Sequence, residues 1–343
     1  QGAERSIDLL TFVYWSGDIG VQFADAIARA AQRGVRVRVL LDALGAKPVE
    51  ARLVERMRDA GATVRFFRPP DPLHPLRANH RTHRKVMVCD ETVAFTGGVG
   101  IADEWMGDGQ TDGCWRDTHV RLTGPAVNGL RAAFLDNWIE TEPAMFDAEI
   151  DRFPELERPG TADVQVILGT AAPGWNSISM TVRALVDLAT ERIRITTAYF
   201  APDDDIAGRL AQAAGRGVTI EILLPGPGAD KRFVQLAGEE RYTELLEHGI
   251  KIWNYCPSML HAKVMTIDGS VGVIGSANFN HRSTSLDDEV NLVVFDEAFA
   301  RLLDDDFDDD LKRSEEIEPA RWKRRSLPQR TLERAMNLAR PWL

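Results

Sequence analysis

The sequence has 343 residues, 44% of them hydrophobic and 27% charged, a balance typical of a soluble globular protein. Its length suits two halves of about 150 to 170 residues each. The formal net charge of −11 argues against broad nucleic-acid binding, because such binding needs many Lys and Arg contacts with phosphate.

The predicted elements of the first part alternate strands and amphipathic helices, which predicts a largely buried sheet covered by helices. In chain order they are a strand at Ile7–Val13, a helix at Ile19–Arg33, a strand at Val35–Leu41, a helix at Val49–Ala60 and a strand at Val64–Phe67.

The same order returns in the second part. There we predict a strand at Arg192–Ala198, a helix at Ile206–Gly215, a strand at Val218–Leu223, a helix containing Tyr242–Glu247 and a strand at Ile250–Tyr255. The repeat predicts an α/β fold of two related sandwich halves, residues 1–150 and 151–343, with the active site at their interface. The join is expected within Thr141–Ala162, which is rich in Glu, Asp and Pro.

Three further features limit the interpretation. The cysteines Cys89, Cys114 and Cys256 show no metal-ligand spacing, which favours free thiols in a reducing compartment. No apolar run reaches the roughly 18 residues of a transmembrane helix, and no signal peptide is visible. An upstream segment is expected, and membrane attachment is either peripheral or through that segment. The acidic run Asp304–Asp310 is expected to be a solvated helix face.

Two segments share the pattern His-x-Lys, four residues and Asp: His83, Lys85 and Asp90 in the first half, and His261, Lys263 and Asp268 in the second. On a strand, residues two apart point to the same face, so each His and Lys pair projects together. Because the two copies occupy equivalent places in a duplicated chain, they predict one shared catalytic site. The two aspartates complete the motifs as catalytic candidates, although fixing the turns at the strand ends suits them better than substrate contact.

Each motif is followed by candidate phosphate-binding residues. Gly97 and Gly98 allow close backbone approach to a phosphate, and Ser276 and Asn278 offer hydrogen-bond donors. Gly100 stands at the position that matches Asn278.

Other residues are candidates for orienting the histidines or lining the pocket. A neutral imidazole needs an acid to fix its tautomer, and Asp117 downstream of His83 and Glu289 downstream of His261 are the candidates. Tyr14 and Tyr199 end the first strand of each half, where open α/β sheets bind ligands, and are predicted to line the pocket.

The sequence resembles the phospholipase D superfamily, and within it the bacterial cardiolipin synthase group, over nearly its whole length. The segments that carry the resemblance are Asn79–Lys85, Phe95–Gly98 and Trp115–His119 in the first half, and Pro257–Lys263, Gly275–Asn280 and Arg282-Ser283 in the second. The family usually has Asn where this chain has Gly100, so one phosphate donor of the first half is either missing or supplied by another residue.

The resemblance implies a phosphohistidine mechanism without metal or cofactor. His83 attacks phosphorus, His261 acts as general acid and base, and Lys85, Lys263 and Asn278 hold the phosphate oxygens. The implied activity is phosphatidyl transfer from one phosphatidylglycerol to another, on the cytoplasmic face of the membrane and with no obligate protein partner. Hydrolysis by a phospholipase D, a nuclease or other phosphodiesterase activity, and a non-catalytic binding protein are the alternatives.

Overall fold

The computed structural model describes residues 2–71, 79–141, 153–170, 176–230 and 232–325, which form two β-sheets and the helices around them. The strands are β1 (Ser6–Thr11), β2 (Arg36–Asp42), β3 (Thr63–Phe67), β4 (Val86–Cys89), β5 (Val93–Gly97), β6 (His119–Thr123), β7 (Asp163–Gly169), β8 (Arg192–Thr197), β9 (Thr219–Pro225), β10 (Lys251–Tyr255), β11 (Lys263–Ile267), β12 (Val271–Gly275), β13 (Glu289–Phe295) and β14 (Ser314–Glu316). The helices are α1 (Asp18–Gln32), α2 (Ala51–Asp59), α3 (Ala126–Thr141), α4 (Ser177–Leu188), α5 (Asp204–Gly215), α6 (Arg232–Glu247), α7 (His281–Ser285), α8 (Glu297–Leu311) and α9 (Pro319–Lys323).

The two sheets have the same core topology. The first has the order β3-β2-β1-β4-β5-β6, and the second has β10-β9-β8-β11-β12-β13 in the same places, with β14 and β7 added at its edges. In each sheet the first three strands are parallel, and the strand that follows the His-x-Lys segment is antiparallel to the first strand. The prediction of two related α/β halves is therefore confirmed.

The helices predicted from the spacing of apolar residues bury the expected faces. In α1, Ala24, Ile27 and Ala30 pack in one core with Val37 and Val39 of β2. Such close packing of aliphatic side chains on a twisted sheet is the main source of stability for each half. The predicted elements of both halves end within three residues of the observed ones, except that α6 begins well before Tyr242.

The two halves share a core. In α3, Leu130, Phe134 and Trp138 are buried and pack in one cluster with residues of both sheets, including Val86 of β4 and Ile274 of β12. Since α3 lies between the sheets, it fixes one half against the other. The boundary predicted at residue 150 lies outside the described residues.

The sequence predicts that the acidic run Asp304–Asp310 is a solvated helix face, and this prediction is only partly right. It lies in α8, where Asp304 and Asp310 are buried while the intervening Asp305, Asp306, Asp308 and Asp309 are exposed. Buried carboxylates need partners, and Asp304 accepts hydrogen bonds from Arg192 and Thr266, while Asp310 accepts one from Arg116. The pairing with Arg116 also ties α8 to the first half.

Candidate active site

The segments that precede the two histidines cross from one half to the other. The backbone N–H of His83 donates to the carbonyl of Asp288 at 2.8 Å, and that of His261 donates to the carbonyl of Arg116 at 2.7 Å. Each is part of a short parallel bridge, Thr82 with Asp288 and Arg116 with Leu260. Each histidine is therefore joined to the segment that carries the acid of the other half.

His83 is oriented by Glu289. Its Nδ1 lies 3.0 Å from Oε1 of Glu289, which is completely buried, and 3.1 Å from the carbonyl oxygen of Ser276. The Ser276 hydroxyl donates to Oε2 of the same carboxylate. With Nδ1–H donated to Glu289, Nε2 of His83 carries the lone pair that a nucleophile needs.

His261 is oriented by Asp117. Its Nδ1 lies 2.7 Å from Oδ2 of Asp117, and that oxygen also accepts a hydrogen bond of 2.9 Å from Nε1 of Trp105. Our prediction that Asp117 serves His83 and Glu289 serves His261 is therefore wrong in its pairing. The acids are the predicted residues, but the backbone bridges exchange them between the halves.

The two lysines lie beside their own histidines. Nζ of Lys85 donates to the carbonyl of His83 at 2.8 Å and lies over the ring of Phe12, 5.8 Å from its centroid. Nζ of Lys263 donates to the carbonyl of His261 and lies 2.9 Å from its Nδ1 and 3.1 Å from its Nε2. An anion that binds beside the histidines would meet the ammonium group of Lys263 next to the imidazole nitrogens of His261, and that of Lys85 next to the backbone of His83.

Burial decides the ionisation of the site. It lowers the pKa of Lys263 to about 7 and also lowers that of Lys85. Burial and the charge of Lys263 lower the pKa of His261 to about 3, so this imidazole is neutral at pH 7. Burial raises the pKa of Glu289 against the opposing charge of Lys85.

The pKa of Asp117 shifts the other way. Burial favours its neutral form, but the charges of His261 and Lys263, with hydrogen bonds from His261 and Trp105, lower its pKa below the usual range. Asp117 is thus held as a carboxylate, the form that fixes the tautomer of His261.

Asp90 and Asp268 lie away from this centre. The carboxylate of Asp90 accepts hydrogen bonds from the backbone N–H groups of Glu4, Arg5 and Ser6. Asp268 does the same for Thr190, Glu191 and Arg192.

Asp90 follows β4, which begins just after Lys85, and Asp268 follows β11, which begins at Lys263. The four residues of β4 span about 13 Å at the rise typical of strands, so Asp90 lies at the far end of this strand from Lys85. The structure therefore corrects their assignment as catalytic residues: they fasten the start of the first strand of each half, the turn role that suited them better.

The residues predicted to form a phosphate cradle divide into two groups. A Cβ at Gly97 would come within 2.4 Å of the carbonyl of Thr118, and one at Gly98 within 2.1 Å of Oδ1 of Asp117, so these glycines admit the neighbouring strand and acid. The hydroxyl of Ser276 is likewise committed to Glu289. Asn278 differs, because its buried Oδ1 has no hydrogen-bond partner among the described residues.

The two tyrosines also differ. Tyr14 is completely buried and donates its hydroxyl to the carbonyl of Gly20 at 2.7 Å, so its predicted contact with substrate is wrong. The ring of Tyr199 lies 6.4 Å from that of His261, and its hydroxyl donates to Asp230 at 2.8 Å. Tyr199 therefore borders the site, whereas Tyr14 belongs to the core.

Sequence reasoning did not assign the aromatic rings that touch the histidines. The ring of Phe12 meets that of His83 edge-on at 5.1 Å, and the rings of Trp105 and Trp115 lie 5.3 and 5.2 Å from that of His261. Phe12 lies near the end of the predicted strand Ile7–Val13, at the edge of the sheet where ligands bind, and could have been found from that place. Trp105 ends a short 3-10 helix, Asp103–Trp105, and Trp115 follows a glycine-containing loop, so no periodic pattern indicates their contacts.

None of the helices in the described ranges combines the length and apolar character needed to cross a membrane.

Comparison with known proteins places this site in a family. The sequence profile described as "Cardiolipin synthase, PLD-like domain" matches residues 1–110 and 182–311. Cardiolipin synthase 2 of Bacillus anthracis is 35% identical over 99% of this chain and 66% of its own length. Cardiolipin synthase of Staphylococcus aureus strain Mu50 is 32% identical over 95% of this chain and 67% of its own length.

Two solved structures share the fold of this chain. Phosphatidylserine synthase of Haemophilus influenzae superposes with a TM-score of 0.74 at 17% identity, covering 100% of this chain and 91% of that one. Polyphosphate kinase of Porphyromonas gingivalis gives 0.58 at 14% identity, covering 93% and 45%. The chain spans about two thirds of the length of the curated relatives it matches, 66% for the first of them. On the profile match and these identities, the chain belongs to the cardiolipin synthase family of phospholipase D-like proteins.

Proposed function

We propose that this chain transfers a phosphatidyl group between phospholipids through a phosphohistidine, forming cardiolipin and glycerol from two molecules of phosphatidylglycerol. The observation that carries the proposal is the crossed pair His83–Glu289 and His261–Asp117, each with a buried lysine beside its histidine. The names of the curated relatives support the choice of substrate.

In the first step, Nε2 of His83 attacks phosphorus, and the bond from phosphorus to the glycerol oxygen breaks. The proton on the departing oxygen comes from His261. This imidazole is neutral in the resting site because burial and the charge of Lys263 lower its pKa. A phosphate anion that pairs with Lys263 offsets that charge, which raises the pKa of His261 and lets it carry the proton.

In the second step, the hydroxyl of another phosphatidylglycerol gives its proton to His261 and attacks phosphorus, and His83 leaves. General acid–base catalysis of this kind contributes roughly 10²–10⁴-fold. The lysines and Asn278 stabilise the non-bridging oxygens, which gain charge in both steps.

We also propose that the reaction takes place at a membrane surface, on its cytoplasmic face, with the chain bound peripherally or through a segment upstream of it. The lipid named in the proposed reaction is a bilayer component, and the first curated relative is longer than the part of it that this chain matches. No further protein is required by the proposed chemistry, because both histidines and both acids come from one chain.

The test is incubation of the chain with vesicles that contain phosphatidylglycerol, with products resolved by mass. Cardiolipin with glycerol supports transfer, whereas phosphatidic acid would indicate hydrolysis. If neither cardiolipin nor phosphatidic acid forms, both the transferase and the hydrolase functions are refuted. His83→Ala should lower the rate by about 10³-fold or more. His248→Ala is the matched control, since this exposed histidine bonds only to the carbonyl of Glu244 among the contacts described for it.

A further inference from the structure

The two halves treat one pair of equivalent positions differently. Bridges join Tyr14 to Ile101 in the first half and Phe200 to Phe279 in the second. The residues just before Ile101 and Phe279 therefore correspond, and they are Gly100 and Asn278. The duplicated frame thus has an amide side chain on one side and none on the other.

An indole occupies the space left at Gly100. A Cβ built on Gly100 would lie 3.0 and 3.1 Å from two ring carbons of Trp105 and 2.8 Å from Cβ of Val13. Contacts this short are outside ordinary van der Waals packing. A side chain at residue 100 would therefore force the indole of Trp105 to shift by a few tenths of an ångström and Val13 to move as well.

The same indole also replaces a hydrogen-bond donor. In the second half, Ser276 donates to the acid Glu289, which orients His83. The equivalent residue in the first half is Gly98, where a Cβ would come within 2.1 Å of Oδ1 of Asp117, so a serine cannot be accommodated. Trp105 donates to Asp117 instead.

The contacts of Asp117 show what this donor does. Its Oδ1 accepts from the backbone N–H of Thr118 at 2.8 Å, and its Oδ2 accepts from both His261 and Trp105. The indole ring also stands edge-on to the imidazole, with an interplanar angle of 83°. Both oxygens of the carboxylate are thereby fixed, and the direction in which it faces His261 is set.

We propose that Trp105 is a positioning residue: seated over Gly100, it holds Asp117 through its Nε1–H and so fixes the tautomer and orientation of His261. The inference rests on the proposed function only for the role of His261 as general acid and base. A charged acceptor that loses one hydrogen-bond donor is less well fixed, and hydrogen bonds to charged groups are among the stronger ones in proteins.

The test compares Trp105→Phe with Trp115→Phe. Both remove an indole whose centroid lies close to His261, at 5.3 and 5.2 Å, but of these two indoles the one described as donating to Asp117 is that of Trp105. The first readout is the fraction of His261 in the Nδ1–H tautomer at pH 7, measured by ¹⁵N NMR, with His261→Asn to assign the signal. We expect one tautomer in the wild type and in Trp115→Phe, and a mixture in Trp105→Phe.

The second readout is kinetic. Trp105→Phe should lower kcat by about 10- to 100-fold and change KM by less than about threefold, because the lost bond acts on proton transfer and not on lipid binding. An unchanged tautomer with unchanged kcat, or equal effects of the two variants, would overturn the proposal. Because the NMR measurement needs no substrate, a wild type that makes no lipid product would refute the proposed function and leave this inference testable.

Gly100→Ala provides an independent variant. Its methyl group should displace the indole and give the same tautomer mixture while Trp105 is still present. In the double variant with Trp105→Phe, the two effects should be strongly non-additive, since both act on one contact. Additive effects would show that position 100 acts by another route, and the Phe variants decide the matter if Gly100→Ala does not fold.

Discussion

The two histidines of this site have the same frame but different support. Both are joined by a backbone bridge to the acid segment of the other half, and both have a lysine two residues on. Their acids, however, are a glutamate held by a serine hydroxyl and an aspartate held by an indole. Duplication therefore fixes where the reacting groups lie, while the residues that contact their acids differ and make the roles of the two histidines unequal.

The largest expected effect distinguishes those roles. Glu289→Gln and Asp117→Asn should each lower transfer from phosphatidylglycerol by about 10²–10⁴-fold, because an amide no longer selects the productive tautomer. With a phosphatidyl ester of p-nitrophenol the two should separate. Its leaving group needs no proton, so Asp117→Asn should give a burst of p-nitrophenolate and accumulate phosphohistidine, measured by rapid quench and mass spectrometry.

Glu289→Gln should give no burst, because it disables the attack by His83. The opposite pattern would exchange the roles of the two histidines. A burst from both variants would show that neither acid limits the attack on phosphorus.

A smaller effect concerns pH. Since burial lowers the pKa of both lysines, that of Lys263 to about 7, their ammonium groups are lost as the pH rises through the neutral range. kcat/KM should therefore fall on the alkaline side, by about tenfold per pH unit for each lysine that must be charged. Rate profiles from pH 6 to 9 measure this.

Lys263→Arg tests whether Lys263 causes this fall. A guanidinium keeps its charge, so the alkaline fall of kcat/KM should move to higher pH. Lys85→Arg is the matched variant in the other half. An alkaline limb that stays in place in both variants would assign the titration to another group.

The smallest effect on activity is expected at Asp90 and Asp268, where the halves agree. Asp90→Asn and Asp268→Asn should each lower the free energy of unfolding by about 1–3 kcal/mol, through bonds to three backbone N–H groups, with little change in activity per folded molecule. Denaturant titration with activity assays measures both quantities.

Burial raises the pKa of both carboxyls, but hydrogen bonds from three backbone N–H groups outweigh it and lower the pKa of each below its usual value of 3.8. Their stabilising contribution is therefore present at neutral pH and is lost as the pH falls below about 4 through their folded-state pKa values. A large fall in activity at unchanged stability would restore a catalytic role to them.

Much of this architecture could be predicted from local sequence. The strands and helices can be predicted from the spacing of apolar residues, and the duplication from repeated short segments such as Arg33-Gly34-Val35 and Arg216-Gly217-Val218. The two His-x-Lys pairs needed only the period of a strand to be placed on one face. These features depend on neighbours in the chain.

What could not be predicted depends on contacts between distant segments. Nothing in the spacing of Asp117 and Glu289 shows that they are exchanged between the halves, because the bridges that exchange them join residues about 140 to 210 positions apart. Tyr14 and Tyr199 have similar places in the sequence. The hydroxyl of Tyr14, however, is buried against Gly20 of α1, whereas the ring of Tyr199 borders the site. The burial of Asp304 likewise depends on arginines from β8.

The exchange of acids also bears on when the chain becomes reactive during synthesis. His83 has no carboxylate partner until β13 has been made and docked, since Glu289 begins that strand. A chain interrupted at any earlier point would carry the complete first motif with its imidazole unoriented. The crossing thus ties the reactive geometry of both histidines to the assembly of the two halves, because neither imidazole meets its acid until the bridged segments have come together.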